Sequence, residues 1–260
     1  MSRAVVESFV RLWEKGLVYR GARLVNWDCV LETAVSDDEV EMVQTRGKLA
    51  YLRYPIEGEP GRTITVATTR PETMLGDTGI VVNPADERYT DLIGKFAVVP
   101  FVERRIPILA DETVESSFGT GAVKVTPGHD PADYERGARF KLPVLNILEK
   151  NGTLNKEAGP FAGLPREKAR AAILKQLDEL GLLEKVADYV HNVPISDRSK
   201  SPIEPLVSEQ WFVKMRPLAV PAIAAVKNGA LTFKPERWTK VYLDWLENVQ
   251  DWCISRQLWW

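Results

Sequence analysis

Thr68-Thr69-Arg70-Pro71-Glu72-Thr73-Met74-Leu75-Gly76-Asp77-Thr78 is the stretch on which the reading of this chain turns. Pro71 biases Arg70 away from helix, so a strand should end extended at that point. Thr68, Thr69 and Thr73 then crowd their hydroxyls against one guanidinium. Arg70 can fork onto a phosphate or a carboxylate. A plainer reading is a strand-end turn capped by its own hydroxyls, with Arg70 paired to Glu72.

A second run, residues 119–134, has the same form: a strand opening into a loop of hydroxyls and carboxylates. It reads Gly119-Thr120-Gly121-Ala122-Val123-Lys124-Val125-Thr126-Pro127-Gly128-His129-Asp130-Pro131-Ala132-Asp133-Tyr134. Ser117-Phe118-Gly119-Thr120-Gly121 is a flexible entry whose backbone amides can approach a ligand. Lys124 and Thr126 alternate with Val123 and Val125, so along a strand both point to one face. Asp130 and Asp133 are three apart and can share a helix face. The competing reading makes Asp130 a helix cap and Lys124 a solvated side chain. The residues alone leave both open. His129 is the residue type most often used as a general base. With only His129 and His191 in the chain and no Ser-His-Asp order, its role is expected to be minor. Phe118 either stacks on an adenine or closes a core. Arg104-Arg105 reads as a solvated strand edge or an RNA contact.

Tryptophan marks the organisation. All eight lie at or before Trp27 or at or after Trp211. That pattern predicts a Trp-free unit held between two segments of another domain. The apolar stop at Leu258-Trp259-Trp260 reads as part of a longer chain. The opening segment reads as a helix capped by Ser2, with Val6, Phe9, Val10 and Trp13 on one stripe and Gly16 at its end. A short strand is expected at 24–27. Further strands are predicted at 49–56, 63–69, 79–82, 96–101, 105–109, 122–126 and 144–148, punctuated by Gly and Pro. So many short strands joined by tight turns favour a small barrel. Helices are predicted at 130–140 and 166–180, the latter with Ile173, Leu174, Leu177 and Leu180 on one face. Val241, Tyr242, Trp245, Leu246 and Val249 form a last helical stripe.

The bulk numbers bound the function. A chain of 260 residues that is 45% hydrophobic buries a real core. A net charge of −2 excludes a surface that attracts nucleic acid as a whole, so any RNA contact must be local. Cys29 and Cys253 form no C-x-x-C, which argues against a disulfide scaffold and a structural zinc. No apolar run reaches membrane-spanning length and the start lacks a signal-peptide pattern. A reduced, cytoplasmic protein is expected.

The two runs together resemble the two halves of the hydrolytic pocket in the editing domain of the valyl-tRNA synthetases. Met74-Leu75-Gly76-Asp77-Thr78 and Asn83-Pro84-Ala85-Asp86-Glu87-Arg88-Tyr89 extend the likeness. The isoleucine and leucine relatives share T-T-x-P but diverge after it. Leu24-Val25-Asn26-Trp27-Asp28 resembles the strand leading out of a synthetase body. Ser208-Glu209-Gln210-Trp211-Phe212-Val213 and Asp251-Trp252-Cys253-Ile254-Ser255-Arg256-Gln257 resemble the path back.

The resemblance implies an α+β, β-rich fold: a compact barrel-like editing domain at 47–194 with surrounding helices. Residues 1–46 and 195–260 would be the outgoing and returning flanks from a Rossmann-type body. It implies hydrolysis of threonine mischarged on the valine tRNA, as tRNA ester or adenylate. Valyl-tRNA synthetase is itself the standing example of why this is needed: an apolar pocket rejects threonine only about 10²-fold. A second site can invert the logic by hydrogen-bonding the threonine hydroxyl. That role is assigned to Asp133, with Lys124 and Thr126 beside it. Asp130 would bind the substrate ammonium. Arg70, Glu115 and Phe118 would hold the terminal adenosine or its phosphate. Thr68, Thr69 and Thr73 would order the attacking water and the carbonyl. No side chain is a convincing nucleophile, so direct water attack is expected.

There is no H-x-G-H and no K-M-S-K-S in the sequence, and Asp197-Arg198-Ser199-Lys200-Ser201 is only an echo of the latter. Hydrolysis without aminoacyl transfer is therefore expected. ATP and Mg belong to the parent enzyme, with no cofactor in this stretch. Some relatives carry cysteine pairs near Trp27 and Ser199; these are missing here, and no metal is expected. The implied partners are the 3′-terminal adenosine of the mischarged valine tRNA and the rest of a synthetase chain, with no membrane, in a monomer. The rival readings are an isoleucyl- or leucyl-type editor of other specificity, a non-catalytic tRNA-binding module, and an insertion of purely structural use.

Overall fold

Helix α1 (Ser2–Glu14) opens the chain, and its apolar stripe is left outside: none of its residues is buried. The expected Ser2 cap is not made; the cap position is Met1, with no side-chain hydrogen bond. Gly16 does end the helix, at a φ of +66° that disfavours a side chain. Strand β1 (Val18–Asp28) follows, then β2 (Thr33–Val35), β3 (Val40–Pro55), β4 (Thr63–Thr68), β5 (Gly79–Val82), β6 (Phe96–Val99), β7 (Arg104–Ala110) and β8 (Ala122–Val125). Helices α2 (Pro131–Phe140) and α3 (Arg166–Glu179) lead to β9 (Leu183–Ser196) and β10 (Ile203–Val213). Helices α4 (Arg216–Lys227) and α5 (Arg237–Glu247) and the short β11 (Trp252–Cys253) complete the chain. The computed structural model describes residues 1–259.

The fold is α+β and rich in strands, as the sequence implies. Its strands form three sheets, in the orders β11-β10-β1-β2, β4-β3-β9 and β6-β7-β5-β8. None closes, so the expected barrel is corrected to open sheets packed around a main core, with a small second cluster of Val81, Val114 and Val125. β3 and β9 pair from Val40↔Ser196 to Leu52↔Leu183, and β4 and β9 remain the open edges of their sheet. The sheet of β6, β7, β5 and β8 is mixed, with β5 parallel to β7 and antiparallel to β8. Every residue of β5 is buried, which suits a strand with both neighbours paired and both faces covered.

The core fills the space between these sheets. Leu52 and Tyr54 of β3 face Ile64 and Val66 of β4, while Ile173 and Leu177 close it from α3. Fully burying each of these aliphatic side chains stabilises the fold by roughly 1.5–3 kcal/mol. Leu180, expected on that helix face, lies beyond the last turn and is exposed.

The two flanks meet each other. β1 pairs with β10 along its full length, Val18↔Val213 to Asp28↔Ile203. The short strand expected at 24–27 is therefore a long one, held partly by cross-strand charge pairs such as Arg20–Glu209 at 2.6 Å. Trp27 lies in the core and donates to the Lys150 carbonyl at 2.7 Å, tying this outer sheet to the middle of the chain. The stretch 144–148 forms no strand. The Ile147 amide donates to His129 and only Leu148↔Leu154 makes an isolated bridge. The stripe on α5 exists, but none of its residues is buried. Among the described residues no helix is long and apolar enough to cross a membrane.

Candidate functional site

The two sequence runs come together. β4 ends at Thr68, and Pro71–Gly76 coils into a 3-10 turn, as Pro at its first position favours. β8 ends at Val125, and a tight turn, closed by the His129 amide on the Thr126 carbonyl at 3.0 Å, leads into α2. Gly128 is required there: a Cβ would stand 2.0 Å from the Leu145 carbonyl oxygen. Gly121, at a φ of +78°, is packed against Asp86, Arg88 and Ser116 and has no room for a side chain either.

Lys124 is the pin between the runs. It is buried, and its ammonium donates to Thr73 Oγ1 at 2.9 Å, to Asp77 Oδ1 at 3.0 Å and to Thr126 Oγ1. An ammonium has three protons, and all three are used. The Thr126 hydroxyl in turn donates to Asp77. Tyr54 completes the knot by donating to Asp77 Oδ2 at 2.7 Å. Burial pushes the Asp77 carboxyl upward, against the pull of Lys124 and of the Thr126 and Tyr54 hydroxyls. Burial also drives the Tyr54 phenol up, which keeps it a donor. Arg104 braces the same turn through the Leu75 and Asp77 carbonyls at 2.9 and 3.1 Å. The reading of Lys124 as solvated is thus excluded. That Lys124 and Thr126 share a face is confirmed.

Asp130 caps α2: its Oδ1 accepts from the Asp133 amide at 3.0 Å. It remains exposed, and its second oxygen has no partner among the described residues. Asp133 is nearly buried. Its Oδ2 accepts from the Thr126 amide at 2.9 Å and its Oδ1 from Arg136 at 2.9 Å. Burial first, and the Asp130 charge second among the causes that raise it, push the Asp133 carboxyl up to about 6. Thr68 accepts from the Arg70 amide at 3.0 Å, and Thr73 donates to the Arg70 carbonyl at 2.9 Å. Thr69 is half-buried, and its hydroxyl has no hydrogen bond among the described residues.

Arg70 does not pair mainly with Glu72. Its guanidinium donates to Glu204 of β10 and to the His129 carbonyl, the latter at 2.9 Å, with Glu72 3.6 Å away. Glu72 is instead forked by Arg170 of α3, at 2.8 and 2.9 Å. Burial works against the Glu72 charge, but Arg170 and Arg70 hold its carboxyl below the ordinary value. His129 is buried, its Nε2 accepting from the Ile147 amide at 2.9 Å. Burial lowers its pKa to about 3. The imidazole's Nε2 lone pair is thus spent on the Ile147 amide inside the fold.

Phe118 and Glu115 stand apart from this knot. Phe118 is 58% exposed, and Glu115 accepts from Ser117 at 2.8 Å. Their loop passes over the end of β4, where a Cβ on Gly119 would lie 3.5 Å from that of Ala67. No hydrogen bond or ion pair among the described residues joins either to Arg70. Arg105 pairs with Glu57 and lies over the Phe96 ring at 4.3 Å. Among the described residues no group of three or more His, Cys, Asp or Glu side chains is placed to hold a metal ion.

Arg104, read with Arg105 as a solvated edge or an RNA contact, is instead partly buried and spent on the Leu75 and Asp77 carbonyls. Several partners were not singled out from the sequence: Tyr54, Asp77, Arg170 and Glu204. Two carried a signal. Asp77 is a lone carboxylate between Met74-Leu75-Gly76 and Thr78-Gly79, and Glu204 a lone acid in Ile203-Glu204-Pro205-Leu206-Val207. An isolated charge in an apolar strand is buried only if paired.

The family model for tRNA synthetases class I (I, L, M and V) matches residues 1–260. The valine–tRNA ligase of Parasynechococcus marenigrum is 58% identical over all of this chain and 28% of its own length. That of Chlorobaculum tepidum is 52% identical, over 100% of this chain and 29% of its own. The chain thus spans under a third of the length of these curated relatives. A LeuRS of Agrobacterium radiobacter K84, solved in a ternary complex with tRNA and LeuAMS, aligns over 76% of this chain and 32% of its own. Its TM-score is 0.41 and its identity 20%.

Proposed function

Because the chain belongs to the class I tRNA synthetases, we propose that it is the editing part of a valine–tRNA ligase, hydrolysing threonine mischarged on the valine tRNA. The observation that supports this reading is the convergence of the two runs: Lys124 of one donates to Thr73 and Asp77 of the other, and Arg70, two residues past Thr68, donates to the carbonyl of His129, the neighbour of Asp130. The editing unit is 47–194, and the flanks 1–46 and 195–260 belong to the synthetase body. Its partners are the 3′-terminal adenosine of the mischarged tRNA and that body, in the cytoplasm.

The free oxygen of Asp130 binds the substrate ammonium. Asp133 accepts from the threonine hydroxyl. The Asp133 oxygens already accept from the Thr126 amide and Arg136, so valine would forgo only the one added hydrogen bond, worth roughly 0.5–1.5 kcal/mol. Thr68 and Thr69 order a water against the ester carbonyl. Water adds to that carbon, the ester bond to the ribose oxygen breaks, and the ribose hydroxyl is restored. Thr73, Lys124 and Thr126 are engaged with one another and with Asp77, so they act by holding the two loops at the right separation. Arg70, Glu115 and Phe118 meet the adenosine.

The test is deacylation of threonyl- and valyl-tRNA for valine by this chain. Faster release of threonine supports the reading. A binding module would release neither or protect both, and a leucine- or isoleucine-type editor would show no preference for threonine.

A further inference from the structure

Arg70 lies two residues past the strand that ends at Thr68, yet the partner in its shortest ion pair comes from the other end of the sequence. Glu204 lies on β10, paired in register with Trp27 of β1, and is 5% exposed. One of its carboxylate oxygens takes the Arg70 guanidinium, and the other lies 3.2 Å from Arg166 Nε at the start of α3. One turn further along α3, Arg170 forks Glu72, the neighbour of Arg70 across Pro71. Arg70 is therefore held on three sides: by the outer sheet through Glu204, by the β8–α2 loop through the His129 carbonyl, and by its own turn through Glu72. The cation does not choose its own direction; Glu204 fixes it. Glutamate suits this task because its two oxygens hold two cations at once.

We propose that Glu204 is a positioning residue for editing, reaching across from the flanking sheet to aim Arg70 at the terminal adenosine. This rests on the role given to Arg70 above. It makes the outer sheet a working part of the editing site, and it gives the flanks a reason to be present in an editing-competent chain.

A double-mutant cycle on the 260-residue chain tests it, with kcat and KM for threonyl-tRNA deacylation and thermal melting as readouts. Glu204→Gln keeps the shape and drops the charge. Loss of one charge-assisted contact predicts a KM raised about tenfold with kcat changed less than about twofold. Combined with Arg70→Ala, it should make KM no worse than Arg70→Ala alone, because Glu204 acts only through Arg70. Glu204→Asp should recover part of the KM. If E204Q fails to fold, the same cycle is run with Glu204→Asp. An unchanged KM in the Glu204 variant, a fall in kcat alone, or effects that multiply in the double variant would each overturn the inference while leaving Arg70 in the site. If Arg70→Ala itself leaves KM unchanged, the role of Arg70 in the functional reading falls, and this inference falls with it.

Discussion

The knot around Lys124 and a less engaged set of side chains, Thr69, Asp130 and Phe118, here termed the ledge, come from the same two runs of sequence but differ in what their polar atoms are free to do. In the knot every strong donor and acceptor is engaged: three bonds from Lys124, one from Tyr54, one from Thr126. On the ledge Thr69 has no partner among the described residues, Asp130 keeps one oxygen free, and Phe118 is open to solvent. Residue type alone does not separate the two: it leaves Lys124 open between ligand group and solvated side chain, and Asp130 open between ligand group and cap. The hydrogen bonds of Lys124 and Thr126 spend that pair on holding the two runs together, while the cap keeps one oxygen unengaged among the described residues.

The sharpest way to break this contrast is Lys124→Met. It leaves Asp77 charged and buried without its cation, and removing one partner of such a pair costs about 3–5 kcal/mol. Urea unfolding should show a loss of that size, far larger than for any ledge variant. A loss below about 1 kcal/mol would mean that the knot is an ordinary surface pair.

Asp130→Asn comes next, because it separates the two uses of one side chain. Asparagine caps a helix as well as aspartate does, so stability should hold to within about 0.5 kcal/mol. The charge for the substrate ammonium is lost, which predicts a KM for threonyl-tRNA raised roughly 10- to 100-fold from a contact of about 1.5–3 kcal/mol. Near-normal kinetics would leave Asp130 as a cap and nothing more. Phe118→Ala should be weaker. It leaves melting unchanged and raises KM by the loss of about 1–2 kcal/mol of base stacking. A drop in melting temperature with KM intact would make Phe118 part of the core after all.

How much of this was legible in the sequence follows from the same distinction. β5 at Gly79–Val82 was read to the residue, because a short apolar run between turn signals has few alternatives. α2 and its Asp130 cap were legible from Pro131 and the spacing to Asp133. β9 was not: Leu183–Ser196 is only half covered, and its alternation is blurred by Glu184, Lys185 and Asp188 on the exposed face. The partners of Arg70 and Lys124 were out of reach for another reason. Glu204 lies 134 positions from Arg70, and Asp77 lies 47 from Lys124. Local pattern carries no information about which of many acids a buried cation will meet. The barrel failed on the same ground, since whether a sheet closes depends on which strands meet at its edges, and β3 and β9 pair across more than a hundred residues.

The smallest effect belongs to Asp133, which lies on the border between knot and ledge. Its carboxyl is pushed up to about 6, by burial before any other cause. Above that pH both oxygens accept, and one can take the threonine hydroxyl. As the pH falls through about 6 a proton occupies one of them. The preference for threonyl- over valyl-tRNA should then shrink by the worth of one neutral hydrogen bond, about 1 kcal/mol or roughly fivefold. Stability moves the other way. A carboxyl whose folded value is raised above its ordinary 3.8 contributes stability that is present below 3.8 and lost as the pH rises through about 6. Measured against Asp133→Asn, which cannot titrate there, the parent chain should therefore lose selectivity and gain stability together as the pH drops from 7.5 to 5. If selectivity is flat across that window, Asp133 belongs to the knot alone, and the threonine hydroxyl is read by some other group.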